Sequence, residues 1–342
     1  MKILVGYSVR LRRGRSLRLF QSAVSVLLVF CYIVGMNKDR HIQEVKSATL
    51  LRFNDLWKKN FQSNQGSIQR NPGVQSLKNK FRNLPGIVVG AGPSLDKNIQ
   101  LLGQAKDKAV IITSDAALKP LMAHDIFPSF VACLDPQEDI AKFFKGVPTR
   151  GMTLVAPSII HPQVLDLWEG GVVFYSKFAP DIPTLTEIQK QAPHLGHLTP
   201  GGTVLSIAYD LAFQMGTNPI LFVGQDLSYP RKKTYSREGE NAEENLETTF
   251  QRQQENMVLE TDIHGRTLPT LKAMSVSKQW FDWAFTTWKR EGPVEIINCS
   301  EAGILTDHCR LMPLSEAIYK YCGKKVNVAW TLKKALNRKR PA

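Results

Sequence analysis

Cysteine patterns that support disulfides or metal sites are missing from this sequence. Its 342 residues include five cysteines, an odd number, and no two of them form a C-x-x-C pair. This excludes a disulfide-bonded framework and a zinc site built on cysteine pairs. Cys133 and Cys299 lie beside strand-like runs, where a thiol packs as a small apolar side chain. Reduced cysteines favour a cytoplasmic protein.

Acidic residues are scarce at the two ends of the chain. The formal net charge is +14, from 44 basic and 30 acidic residues. Six basic residues lie within 1–18 and seven within 324–342, and neither stretch contains an acidic residue. Without these thirteen, 31 basic residues stand against 30 acidic ones. A body so close to neutral is not expected to bind nucleic acid as its main role.

Long uncharged runs are also rare, and the clearest one lies near the N-terminus. Residues 19–36 carry no charge and directly follow an arginine cluster, which is the pattern of a signal anchor. One interpretation is a membrane contact through residues 1–36, as an anchor or a peripheral segment. The other, which we favour, is a start codon assigned too early, so that a cytoplasmic protein begins at Met36.

Composition divides the chain into four segments: 1–35, basic and hydrophobic; 36–78, a helical lead-in and linker; 79–322, the main domain; and 323–342, a basic tail. In the main domain, short apolar runs alternate with helical runs. The apolar runs are 87–90, 109–115, 130–135, 153–158, 172–176 and 219–226. This alternation predicts an α/β, Rossmann-like fold with a mostly parallel sheet and helices on both faces.

A glycine-rich turn ends the first apolar run. Residues 87–89 are followed by Gly90, Gly92, Pro93 and Ser94, and then by a helical pattern. Glycine lets the backbone approach a ligand closely, proline suits a first helical turn, and serine caps helices. Amides at a helix start favour phosphate without a basic side chain. We therefore interpret 90–94 as an anion cradle, with a plain strand-to-helix turn as the alternative.

Acidic side chains end three later runs of the predicted sheet. Asp115, Asp135 and Asp226 each follow a strand-like run. Parallel sheets place their ligands outside the carboxyl ends of the strands. We expect these carboxylates to gather around one site.

A second helix start is also led by glycine. Gly201, Gly202 and Thr203 precede the helical run that ends near residue 216. Their amides are candidates for holding a second anionic group, such as a phosphate or a carboxylate of the ligand. The alternative is a capped helix that only packs on the sheet.

The segment 231–256 is charged, low in apolar residues and long for a loop. Such loops in compact domains often cover active sites, so we interpret it as a mobile flap, with a disordered surface insertion as the alternative. A turn between two short strands follows at 261–270, and an aromatic-rich helix at 275–292. Those aromatic side chains are expected to belong to the core.

Several of these motifs together resemble one family. They are GAGPSL at 90–95, Asp115, CLDPQE at 133–138 and GTNPILFVGQDLSY at 216–229. The chain resembles MptE-like proteins from about Gln75 to Ile318, and within them the Maf (motility accessory factor) branch. The resemblance implies a Rossmann-type nucleotide-binding transferase. In the Maf branch it implies transfer of a nonulosonic, sialic-acid-like sugar to Ser or Thr of flagellin or another surface acceptor.

A more distant similarity to bacterial sialyltransferases implies a CMP-sugar as the donor. The similar positions are Gly90 to Ser94, Asp115, Gly201 to Thr203, and Gly224 with Gln225 and Asp226. Asp135 joins them as a predicted nucleotide-binding residue. No tightly bound cofactor and no metal site are predicted for this reaction.

Such a transfer needs a group that removes the acceptor's proton. Asp226 and His264 are the candidates. Maf-like chains often carry a Thr-His pair after the GQDL-x-Y phrase, where this sequence has Thr234 and Tyr235. Tyrosine is a poor base at neutral pH because its ordinary pKa is about 10. If the histidine is the family's base, this chain uses another group or has lost activity.

Two other functions stay open at this point. The MptE-like resemblance also implies a 6-hydroxymethylpterin diphosphokinase using ATP with Mg²⁺, although the sequence has no P-loop lysine motif. A nucleotide-binding accessory protein without catalysis is the third.

Overall fold

The structure is a computed structural model of the chain. It describes residues 47, 50, 52–230, 233–243, 246–290 and 292–336. The described residues from 50 to 336 belong to one compact unit. The uncharged run 19–36 and the proposed start at Met36 lie outside the described residues. No helix of the described part has both the length and the hydropathy needed to cross a bilayer.

Within the described residues, nine strands form one sheet in which every neighbouring pair is parallel. The strands are β1 (Gly86–Val89), β2 (Val110–Ser114), β3 (Phe130–Ala132), β4 (Thr153–Pro157), β5 (Gly171–Lys177), β6 (His197–Leu198), β7 (Ile220–Val223), β10 (Ile296–Asn298) and β11 (Arg310–Leu311). Their order across the sheet is β11-β10-β7-β1-β2-β3-β4-β5-β6. The predicted α/β, Rossmann-like class is confirmed.

Two further strands, β8 (Met257–Thr261) and β9 (Thr267–Leu271), form an antiparallel hairpin. The α-helices are 52–70 (α1), α2 (Leu95–Leu102), α3 (Asp115–Ala123), α4 (Pro162–Leu167), α5 (Pro183–Gln191), α6 (Val204–Met215), α7 (Leu246–Arg252), α8 (Lys272–Thr287), α9 (Leu314–Tyr321) and α10 (Val328–Leu336). Short 3₁₀ helices lie at Val74–Leu77, Gly103–Ala105, Glu138–Phe143, Pro193–Leu195 and Gln254–Asn256.

Helices cover both faces of the sheet because the strands are apolar on both sides. In β1, Ile87 and Val89 pack with residues of α2, α3 and α9, whereas Val88 packs with residues of α6 and α8. All three side chains are fully buried. A strand buried on both faces reads as a continuous apolar run, as β1 does.

Within the described residues, the part of the predicted lead-in from residue 50 to 78 and the part of the predicted tail from residue 323 to 336 belong to the same compact unit as the sheet. Trp57 of α1 is fully buried, with Phe61 and Ile68 nearly so. In α10, Ala335 is buried against the core. The helical pattern of the lead-in therefore reflects packing onto the domain.

The order of the sheet reverses between β1 and β7. From β1 the chain proceeds outward through β2 to β6, and it returns at β7 to continue to β10 and β11 on the other side. Open parallel sheets bind their ligands in the crevice outside the strand ends at such a switch point.

Candidate functional site

A cavity of about 420 Å³ lies at the carboxyl ends of β1, β2, β3 and β7. Its wall includes several of the predicted site residues. They are Gly90, Gly92, Asp115, Asp135, Thr203, Gln225 and Asp226. This placement agrees with the expectation that the strand ends on both sides of the switch point line one cavity.

The turns after β1 and β7 touch each other through glycines. A Cβ on Gly90 would lie 2.6 Å from the carbonyl oxygen of Gly224, and one on Gly92 would lie 2.7 Å from the same atom. Gly224 itself has a φ of +69°. The close packing of the two turns is therefore enough to explain why these positions are glycine.

Asp226 follows the β7 turn and reaches the start of α2. Its Oδ2 accepts a hydrogen bond from the amide of Ser94 over 2.8 Å, and its Oδ1 accepts one from the Ser94 hydroxyl. Asp226 is 2% exposed. Burial raises the pKa of Asp226 to about 7, against the lowering effect of both Ser94 hydrogen bonds.

This contact changes the interpretation of the glycine-rich turn. The Gly92 amide donates to the Gly224 carbonyl over 3.0 Å, and the Ser94 amide donates to Asp226. Both amides thus have partners inside the protein, whereas the sequence interpretation left them for a phosphate. Ser94 occupies the N-cap position of α2, but its side chain makes no capping bond.

Asp115 is the first residue of α3. Its Oδ1 accepts from the amide of Ala116 over 2.8 Å, while its Oδ2 is buried without a partner. Burial raises the pKa of Asp115 to about 7; the Ala116 bond opposes this rise and the charge of Asp135 adds to it. Buried polar atoms are normally hydrogen-bonded, so an unpaired carboxyl oxygen favours a ligand that donates a hydrogen bond to it.

Asp135 follows β3 and interacts electrostatically with Lys177 of β5. Burial raises the pKa of Asp135, and the charge of Lys177 opposes the rise. Burial lowers the pKa of Lys177, whose ammonium also lies 5.5 Å from the Trp57 ring centre. Sequence reasoning missed Lys177, which ends an apolar strand and is brought to Asp135 only by the parallel pairing of the sheet.

The three residues before α6 have two different roles. A Cβ on Gly201 would lie 2.2 Å from the Trp280 ring of α8, and one on Gly202 would lie 2.5 Å from the Ser277 hydroxyl. These two glycines make room for α8 and do not line the cavity. Thr203 does line it, and its hydroxyl oxygen is buried without a partner.

Gln225 contributes a third unpaired polar atom. Its amide donates to the Ser300 hydroxyl over 2.9 Å, which fixes the backbone after β7. Gln225 lines the cavity and is 4% exposed, and its buried Nε2 has no partner. Three residues of the cavity wall therefore each carry a buried polar atom without a hydrogen-bond partner: Asp115 Oδ2, Gln225 Nε2 and Thr203 Oγ1.

The segment predicted to form a flap is tied to the turn before α2, to the first turn of α2 and to the second half of α3. Ser236 donates its amide to the carbonyl of Ala91 over 2.9 Å, and Arg237 donates its amide to Asp96 over 3.0 Å. Further along, Glu238 and Glu240 pair with His124 and Lys119 of the α3 region. In this structure the described part of the segment is anchored beside the cavity.

Of Tyr235 and His264, only Tyr235 lies at the cavity. Thr234 and Tyr235 line the cavity, at the place where the resemblance leads one to look for a histidine. His264 lies exposed in the turn between β8 and β9, where its amide donates to Asp262 over 2.9 Å, and it is not part of the cavity wall. The structure therefore does not bring His264 to the site, whereas Asp226 lies in it.

The described ranges contain no group of three or more His, Cys, Asp or Glu side chains placed so that they could hold a metal ion.

Comparison with known proteins found similarities of sequence and of fold. The model of the family described as "6-hydroxymethylpterin diphosphokinase MptE-like" matches residues 59–232. An uncharacterized protein of Treponema pallidum (strain Nichols) is 26% identical over 200 residues, which cover 56% of this chain and 34% of that protein. The solved structure of a Maf glycosyltransferase from Magnetospirillum magneticum AMB-1 matches with a TM-score of 0.54 and 20% identity, over 75% of this chain and 36% of that one.

The chain spans about a third of the length of both relatives. At 20% identity the likeness to the solved structure concerns the fold. The family model matches about half of the chain and includes the glycine-rich turn, the strand-end carboxylates and the β7 turn. This chain therefore belongs to the MptE-like family.

Proposed function

We propose that this protein is a transferase that moves a nonulosonic sugar from a CMP donor to a Ser or Thr hydroxyl. The observation that carries the proposal is the cavity at the switch point, where Asp226 lies among buried polar atoms of Asp115, Thr203 and Gln225 that have no partner. The fold shared with a Maf glycosyltransferase supports this reaction class. Flagellin is the acceptor that the resemblance suggests.

The donor's phosphate belongs at the start of α6 in this proposal. Thr203 and the first residues of α6 line the cavity. A helix leaves its first amides without partners inside the helix, and its dipole favours an anion there. The start of α2 is less suited, because Asp226 already occupies it.

Asp115 and Gln225 offer complementary contacts to the uncharged part of the nucleotide. The unpaired Asp115 oxygen can accept a hydrogen bond, and the unpaired Gln225 nitrogen can donate one. A base edge or a sugar hydroxyl presents both kinds of group. Both side chains are buried, so leaving these two atoms without a partner costs free energy. A ligand that forms hydrogen bonds with them removes that cost.

The transfer itself exchanges one carbon–oxygen bond for another. The acceptor oxygen bonds to the anomeric carbon, the bond from that carbon to the phosphate oxygen breaks, and CMP leaves with the electron pair. The acceptor's proton passes to the Asp226 carboxylate. With a pKa of about 7, Asp226 is ionised in a large fraction of molecules near neutral pH and holds a proton far better than an ordinary carboxylate.

Tyr235 does not serve as the base in this account. Tyr235 lines the cavity, but tyrosine is a poor base at neutral pH because its ordinary pKa is about 10. Asp226 therefore takes the role that the Thr-His pair is expected to have in similar chains.

Thermal unfolding in the presence of ligands tests the proposal. A ligand that binds only the folded state raises the unfolding temperature. We expect CMP alone to raise it, with no requirement for a metal ion. Stabilisation only by ATP with Mg²⁺ would favour the diphosphokinase, and no response to either nucleotide would favour the non-catalytic accessory role.

A further inference from the structure

Ser94 donates two hydrogen bonds, one from its amide and one from its hydroxyl, to the carboxylate of Asp226. Its amide donates to Asp226 Oδ2 over 2.8 Å and its hydroxyl donates to Oδ1. The two residues are 132 positions apart in the sequence. Ser94 is 3% exposed and Asp226 is 2% exposed, so water does not compete for these bonds.

This use of a serine differs from helix capping. A capping serine has an extended backbone and accepts a bond from an amide two or three residues further on. Ser94 has helical backbone angles, φ −68° and ψ −19°, and makes no capping bond. Its side chain is directed to Asp226, which supplies the negative charge that the start of a helix favours.

Other charges near Asp226 come from α2. Asp96 raises the pKa of Asp226 and Lys97 lowers it, both less than Ser94 does. Asp96 is paired with Arg237 and Lys97 with Glu301, so each is partly neutralised. The β7 turn adds the Ser228 hydroxyl, which donates to the main-chain oxygen of Asp226 over 3.1 Å and not to its carboxylate.

We propose that Ser94 is a positioning residue that holds the Asp226 carboxylate in the cavity wall, and is not a contact for the ligand's phosphate. Each Asp226 oxygen keeps a lone pair beyond the one used by Ser94, and so can still receive a proton. The meaning of this role for catalysis rests on the proposed sugar transfer. The positioning itself does not.

The test compares Ser94→Ala with Ser94→Thr and Ser228→Ala. Removing the Ser94 hydroxyl takes a lowering influence from Asp226, so the acidic limb of kcat/KM against pH is expected to move upward by about one pH unit. Ser94→Thr retains a hydroxyl, so the acidic limb is expected at the same pH as in the wild type. Ser228→Ala removes a hydroxyl that contacts only the backbone of Asp226, so the limb stays in place.

Affinity for CMP separates a positioning role from ligand contact. We expect Ser94→Ala to change the Kd for CMP by less than about threefold, since no ligand atom is assigned to Ser94. An unmoved acidic limb together with a tenfold or greater loss of CMP affinity would overturn the proposal and return Ser94 to phosphate binding.

A second measurement needs no ligand and no activity. The pKa of Asp226 is raised in the folded state, so stability falls as pH rises through about 7. Ser94→Ala is expected to extend this fall to higher pH in the unliganded protein. In an Asp226→Asn background, Ser94→Ala should leave the pH dependence unchanged. The same shift in both backgrounds would show that Ser94 does not act on Asp226, whatever the enzyme's substrate.

Discussion

The amide of Gly92 donates to the carbonyl oxygen of Gly224 over 3.0 Å and joins the turn after β1 to the turn after β7. The contact leaves no room for a side chain. A Cβ on Gly92 would lie 2.7 Å from that oxygen and 2.8 Å from the Asp226 carboxyl carbon. Substitution at Gly92 therefore acts on the packing of the two turns before it acts on any ligand.

Gly92→Ala is expected to lower the free energy of unfolding by about 1–3 kcal/mol, the usual cost of overpacking. Gly103→Ala is the matched control, because a Cβ there meets nothing within 4 Å and its φ is −57°. Chemical denaturation of the two variants measures the difference. Equal stability of Gly92→Ala and the wild type would show that the two turns are not packed as described.

Stability is expected to fall as pH rises from about 4 to about 8. Asp115 and Asp226 have pKa values of about 7 and Asp210 about 6 in the folded protein, above the ordinary 3.8. A carboxyl with a raised pKa binds its proton more tightly when folded, so its contribution is present below pH 4 and lost as pH passes its folded pKa.

Asp115→Asn removes one of these groups. The slope of stability against pH should decrease by up to one proton per molecule, because the neutral amide has no charge to bury. Thermal unfolding from pH 4 to 8 measures it, with Asp125→Asn, which removes an exposed carboxylate, as the control. An identical slope in Asp115→Asn and the wild type would contradict the raised pKa.

Thr203→Val tests the unpaired hydroxyl at the start of α6. Because that hydroxyl has no partner in the protein, we expect the unliganded stability to change by less than about 0.5 kcal/mol, while CMP affinity falls roughly tenfold. Thr217→Val provides the contrast: its hydroxyl donates to Ala212 over 2.9 Å, so about 1 kcal/mol of stability is lost. Unaltered CMP affinity in Thr203→Val would remove Thr203 from the site.

The two base candidates of the sequence make different predictions. His264→Ala should leave kcat within about threefold of the wild type, because His264 lies exposed in a hairpin turn outside the cavity wall. Asp226→Asn should lower kcat by about 10²- to 10⁴-fold, the usual contribution of a general base. Steady-state kinetics with the CMP-sugar decide between them. The reverse pattern would make His264 the base.

The sheet was predictable because most of its strands are continuous apolar runs, several of which end in a small or acidic residue. Ile87 to Val89 and Ile220 to Val223 are buried on both faces and read as strands without further information. The two-residue strands β6 and β11 were not predicted, since they are too short to show a pattern.

The place of several candidate residues was predictable from the sequence, but their contacts were not. Asp115, Asp226 and Thr203 line one cavity because strand ends and helix starts gather at one edge of a parallel sheet, and their roles stay predictions. The pairing of Ser94 with Asp226 was not, because it joins residues far apart in the sequence. The glycines at 201 and 202 were assigned to a ligand, although α8 explains them, and nothing local in the sequence indicates that helix–turn contact.

Calorimetric titration of the unmodified chain with CMP at pH 7.5 tests the central claim most directly. The account predicts binding at one site per chain, without a metal ion, and loss of that binding in Thr203→Trp, whose larger side chain would fill the cavity beside Asp115 and Gln225. Absence of CMP binding, or CMP binding that Thr203→Trp leaves intact, would contradict it.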